Sequence, residues 1–110
     1  MTKLSKETEE KIMQLQLLEQ NLQNLLLQKQ TFQTQVLEIE TALEEIEKVK
    51  DSAYKIIGSV MVLTKKDELK KDLFSKKEIL ELRIKNLEKQ EQKIKEKSQE
   101  IQKEVAKEIK

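Results

Sequence analysis

From Leu15 to Ile46 the apolar residues step by three and four without a break: Leu15, Leu18, Leu22, Leu25, Lys29, Phe32, Val36, Ile39, Leu43, Ile46. Only Lys29 interrupts the series. Spacing of this kind, kept up over more than four heptads, marks a coiled-coil helix rather than a globular one. Ser5 is placed to take an orphan backbone N–H as an N-cap, and Glu7, Glu9 and Glu10 suit the positive helix end. The pattern breaks at Asp51-Ser52, so a helix is expected over 5–50. The second half repeats the period, with Leu73, Leu80, Leu87, Ile94 and Ile101 seven apart. Its companion series is weaker: Lys70, Lys77, Ile84, Glu91, Ser98, Val105. Thr64 and Asp67 have capping-box spacing just before Leu69, which predicts a second helix over 65–109.

Between the two helices the period changes from 3.5 to 2. Tyr54-Lys55-Ile56-Ile57, then Gly58-Ser59, then Val60-Met61-Val62-Leu63-Thr64 places aromatic and β-branched residues on both sides of a two-residue turn. Gly58 can supply the positive φ of a type II′ turn, so a β-hairpin is expected over 53–64. A plain loop is the alternative, but it would have no use for eight apolar residues. Helices of about 45 residues are about 65–70 Å long. If both hairpins share a centre at Gly58-Ser59, an antiparallel coil brings Leu15 to Ile101, Leu22 to Ile94, Val36 to Leu80 and Leu43 to Leu73. Charge agrees with this pairing, since residues 1–50 carry a net −3 and residues 51–110 a net +4. Screened surface pairs contribute only about 0–1 kcal/mol each, so the complementarity sets register more than stability.

Composition narrows the function. The chain has 110 residues, room for one domain spanning 1–110, with 39% charged and 3% aromatic residues. It has one glycine and no proline, cysteine, histidine or tryptophan. That leaves no thiol nucleophile, no imidazole base, no haem or zinc site of the usual kind and no phosphate-cradling glycine loop. No catalytic residues, metal or cofactor are expected, and the chain does not read as an enzyme. No apolar run is long enough for a signal peptide or membrane span, so the cytosol is the expected compartment. A net charge of +1 recruits no nucleic acid. Lys85, Lys89, Lys93, Lys95 and Lys97 are interleaved with Glu88, Glu91 and Glu96, a solvated face rather than a phosphate-binding one.

Two regions are left over. An isolated two-stranded hairpin is marginal in water, and this one carries apolar side chains on both faces and two open edges. Residues Tyr54, Ile56, Ile57, Gly58, Val60, Met61, Val62 and Leu63 therefore read as an assembly element that pairs with other chains. Near both termini, Ile12, Met13 and Leu17 lie off the seam, Leu4 and Ile109 lie near the ends, and the facing layers are poor: Lys11 against Val105, Leu18 against Ser98, Leu25 against Glu91. A surplus of apolar side chains there predicts partly exposed hydrophobic surface, with fraying or wider helix packing as the bland alternative.

The sequence resembles the prefoldins, specifically their β-type subunits. The resemblance is carried by Gln28-Lys29-Gln30, Ala42-Leu43-Glu44-Glu45-Ile46, Tyr54-Lys55-Ile56-Ile57-Gly58, Leu69, Leu73, Leu80, Leu82-Arg83 and Leu87-Glu88, across nearly the whole chain. A single hairpin midway between equal helices is similar to the β type, whereas the α type inserts two. The resemblance implies a mainly α fold: a long antiparallel coiled-coil hairpin whose central β-hairpin joins an oligomeric β-barrel. It implies an ATP-independent holdase in a hexamer of two α-type and four β-type subunits, handing unfolded proteins to a cytosolic group II chaperonin. Carried over by position, Tyr54 to Leu63 would assemble the barrel, and Leu4, Ile12, Met13, Leu15, Leu17, Val105 and Ile109 would contact clients. A structural coiled-coil scaffold or adaptor is the alternative function, and it would be indifferent to unfolded proteins.

Overall fold

The computed structural model describes residues 5–109 and contains two long helices and one β-hairpin. Helix α1 runs Lys6–Glu47, strand β1 Ser52–Ile57, strand β2 Val60–Lys65 and helix α2 Lys66–Ile109. The chain forms two compact units: α1 up to Gln30 with α2 from Lys85 onward, and Thr31–Ile84, which holds the hairpin.

In Thr31–Ile84 the apolar series of the sequence forms the core. Phe32, Val36, Ile39, Leu43 and Ile46 on α1 are half-buried or buried, as are Leu69, Leu73, Leu80 and Ile84 on α2. Ile46, Leu69 and Leu80 are the most enclosed. Flanking ion pairs show the helices running antiparallel in the expected register: Glu40 with Lys77 at 3.3 Å, and Glu47 with Lys70. The Arg83 guanidinium lies 5.7 Å from the centre of the Phe32 ring and covers it.

Helix α1 ends at Glu47, three residues short of the expected Lys50. The Lys48 and Val49 amides donate to the Glu45 and Ile46 carbonyls, a three-residue tightening that closes the last turn. Lys66 then ties the connection together. Its amide donates to the Asp51 carbonyl at 2.9 Å, and its Nζ donates to the Glu47 carbonyl, an orphan acceptor at the α1 C-terminus. The expected Thr64 cap does not form. Strand β2 continues through Lys65, so Thr64 pairs with Ala53 and its hydroxyl donates to the Val62 carbonyl. Pairing of Ser52 with Lys65 makes the hairpin one residue longer at each end than 53–64.

Strands β1 and β2 are antiparallel, with Ile57 opposite Val60 across a two-residue turn. Gly58 has φ +60° and no other described residue has a positive φ, which fits type II′ and rules out I′. A side chain at Gly58 would meet open space, so glycine is needed there for its backbone and not for room.

In the other unit, Leu15, Leu18, Leu22 and Leu25 are half-buried on α1, while Leu87, Ile101 and Val105 are buried on α2. Ser5 is the N-cap, as the sequence predicts: the Thr8 amide donates to Ser5 Oγ at 3.1 Å.

Candidate functional site

Opposed residues on paired strands share a sheet face. One face of the hairpin therefore carries Tyr54, Ile56, Met61 and Leu63, and the other carries Lys55, Ile57, Val60 and Val62. The first face is bare: Tyr54, Ile56, Met61 and Leu63 are each 63–70% exposed. Ile57, Val60 and Val62 are also exposed, but their face has a tether. Lys55 Nζ lies 2.7 Å from the Asp72 carboxylate on α2. That hydrogen bond and charge hold the Asp72 carboxyl below the usual carboxylate range. The pair aims the hairpin by fixing one face toward α2. Seven large apolar side chains exposed on twelve strand residues make an apolar patch of the kind that marks an interaction surface.

The second candidate surface lies in the unit that carries the termini. Met13 and Leu17 stand out from α1 at 68% and 57% exposed, and Ile109 is exposed on α2. Ile12 and Leu15 are half-buried. Val105 is 8% exposed and belongs to the seam, so it reaches no partner without the coil opening. Leu4 lies outside the described residues.

The helix ends here are clasped. Thr8, only 1% exposed, donates its hydroxyl to Glu108 Oε2, and Lys11 Nζ lies 2.9 Å from Glu108 Oε1 and 3.5 Å from Glu104. The Thr8 hydroxyl and then Lys11 hold the Glu108 carboxyl below its usual range, and the Glu108 bond raises Lys11. Sequence reasoning took this end as poorly layered because it weighed only residues directly opposite in the seam. Lys11 bonds along the flank instead, reaching Glu104 and Glu108 on either side of its opposite position.

The same oversight hid a second pair. Lys29 and Glu91 interrupt their apolar series on different helices and meet at 3.2 Å. Their side chains are 23% and 14% exposed, and Lys95 adds a contact to Glu91 at 3.1 Å. Lys95 and then Lys29 hold the Glu91 carboxyl below its usual range. A group with a lowered folded pKa contributes stability above its unfolded pKa and loses it as pH falls through the folded value. Glu91→Gln is therefore expected to lower the melting temperature at neutral pH, with the deficit closing as the buffer is taken into the carboxylate range. Melting curves of both proteins across pH 3–7 check this (a range set by the usual carboxylate pKa of about 4).

Among the described residues no group of three or more Asp or Glu side chains could hold a metal ion, and no helix is long and apolar enough to cross a membrane.

Comparison with known proteins agrees with this geometry. Residues 9–110 match the family described as Prefoldin subunit. Prefoldin subunit beta of Archaeoglobus fulgidus is 38% identical over 104 residues, covering 93% of this chain and 90% of the relative. Prefoldin subunit beta of Pyrococcus furiosus is 44% identical over 90 residues, covering 80% and 77%. The crystal structure of the prefoldin beta subunit from Thermococcus strain KS-1 superposes with a TM-score of 0.89 at 36% identity, covering 96% of this chain and 94% of that one. Two long helices joined by one β-hairpin, the matched family and these relatives agree: the chain belongs to the prefoldin family, in its β-type branch.

Proposed function

We propose that this prefoldin chaperone subunit works as an ATP-independent holdase. Its hairpin, Tyr54 to Leu63, joins hairpins of other subunits in a β-barrel, in a cytosolic hexamer of two α-type and four β-type chains. Its tip residues, Leu4, Ile12, Met13, Leu15, Leu17 and Ile109, bury apolar segments of non-native proteins, which pass to a group II chaperonin. Val105 supports that surface from within the seam. The whole chain serves as one prefoldin domain in this reading.

The observation that carries it is the bare hairpin face, four large apolar side chains each more than half exposed with no cover from their own chain. The mechanism needs no nucleotide. A client gains roughly 25 cal/mol per Å² of apolar surface buried, before ordering costs. Several weak contacts on one platform then raise the effective concentration for the next. Release follows when the chaperonin competes for the same segments.

Native mass and composition of the complex purified from its own cytosol with a tagged copy of this chain test the reading. The expected particle holds about six small subunits, with a second, slightly larger helical-hairpin protein at half this chain's abundance. A dimer or trimer of this chain alone would overturn the hexamer and favour a coiled-coil scaffold.

A further inference from the structure

We infer that the client-binding surface does not stop at the tip but continues along the outer face of α1 to Leu27, as an uncharged track for extended polypeptide of either charge. This rests on the holdase reading and specifies what the surface accepts.

Charge is distributed unevenly between the two helices of this unit. The seventeen residues from Ile12 to Gln28 comprise seven leucines, Ile12, Met13, seven amide side chains and a single charge, Glu19. On α2, ten of the nineteen residues from Lys85 to Lys103 are charged. A solvated coiled-coil flank ordinarily carries charge, as α2 does. Within the uncharged stretch, Met13, Leu17, Gln20, Asn24 and Leu27 recur at steps of four and three, which puts them on one face. That face points away from the seam, since all five are exposed. Met13, Gln14, Gln16, Leu17 and Gln20 line one shallow trough along it, formed by α1 alone, with Glu10 the one carboxylate, at its N-terminal end.

The chemistry selects the occupant. A trough on a single helix is open enough for an extended chain. An extended segment also arrives with backbone N–H and C=O groups unpaired, and an amide side chain can both donate to and accept from them. A folded helix has satisfied those groups internally and gains nothing from amides. From Met13 to Leu27 every position on the face is uncharged, and beyond Glu10 at its N-terminal end nothing on it attracts or repels a segment by sign. A holdase that must accept unrelated chains needs that neutrality.

The test uses the assembled complex and two unfolded, dye-labelled peptides of equal apolar content, one acidic and one basic. The unaltered complex is expected to bind both within a few-fold of each other. Gln20→Lys with Asn24→Lys adds charge at exposed positions without loss of helix propensity. It is expected to weaken the basic peptide roughly tenfold while holding or tightening the acidic one, a sign dependence that structural damage would not produce. Gln20→Ala with Asn24→Ala is expected to weaken both alike, and unchanged binding there would overturn the backbone-pairing argument. If the lysine variant binds both peptides normally while Ile12→Ser, Met13→Ser, Leu17→Ser loses both, the track is overturned and the tip reading stands. If the serine variant also binds normally, the holdase reading fails with it. Self-association of the complex that the lysine variant abolishes would instead make the face a contact between copies and overturn the proposal.

Discussion

Replacing Ile56 and Leu63 with aspartate is expected to leave a well-folded chain that no longer assembles. Both residues lie on the bare hairpin face, more than 60% exposed, so a charge there costs the isolated chain little. They are not directly opposed, since Ile56 faces Met61 and Leu63 faces Tyr54, so the carboxylates do not form a repelling cross-strand pair. Burial between strands of neighbouring subunits is a different matter. An unpaired carboxylate in an apolar interface costs about 3–5 kcal/mol, and about 1.4 kcal/mol is a factor of ten in affinity. Two such groups per chain weaken assembly by well over about a thousandfold. Helical circular dichroism should persist while native mass falls to that of free chains. A variant that still assembles at full mass would show that the hairpin is not the interface, and the barrel would have to be abandoned.

Why this fold can be read so far from its sequence is plain from the seam. Every α1 residue in the series from Leu15 to Ile46 is half-buried or buried, because a strict three-four step admits one pairing face only. Gly58 is equally legible: a lone glycine between two apolar runs has one economical use, and its φ of +60° is that use. Polar contacts along the flanks are less so. Lys29 reads as a flaw in the series and Glu91 as another, and nothing in either helix alone says that they meet. Their pairing is a property of register, which a one-dimensional pattern supplies only after the helices have been laid side by side. The Thr64 cap fails for a related reason. Capping-box spacing is a local cue, and it loses to strand pairing with Ala53, which uses the same backbone. At the tip, exposure separates residues that periodicity groups together: Met13 and Leu17 face solvent, while Val105 is enclosed.

That separation shapes the second large effect. Changing Ile12, Met13 and Leu17 together to serine is expected to abolish suppression of client aggregation while leaving assembly intact. Met13 and Leu17 are mostly exposed in the free chain, so their loss removes surface available to a client and little of the chain's own packing. Ile12 is half-buried, and the clasp of Thr8, Lys11, Glu104 and Glu108 beside it holds the helix ends together without it. Burying one large apolar side chain is worth about 1.5–3 kcal/mol, so three truncations per tip remove most of what a single tip can offer. In the proposed hexamer the tips share one platform, so weakening every β-type tip compounds, and the apparent affinity is expected to fall further than any one contact would predict. Light scattering of an aggregating client measures the loss, and native mass confirms the particle. Val105→Ala is the contrasting substitution: it should lower the melting temperature, at a cost of about 1.5–3 kcal/mol for the loss of two buried carbons, because its side chain packs in the seam. If the triple variant protects clients undiminished, the grip lies elsewhere. If Val105→Ala abolishes protection without changing the melt, the coil opens when it binds and the seam itself is the client surface.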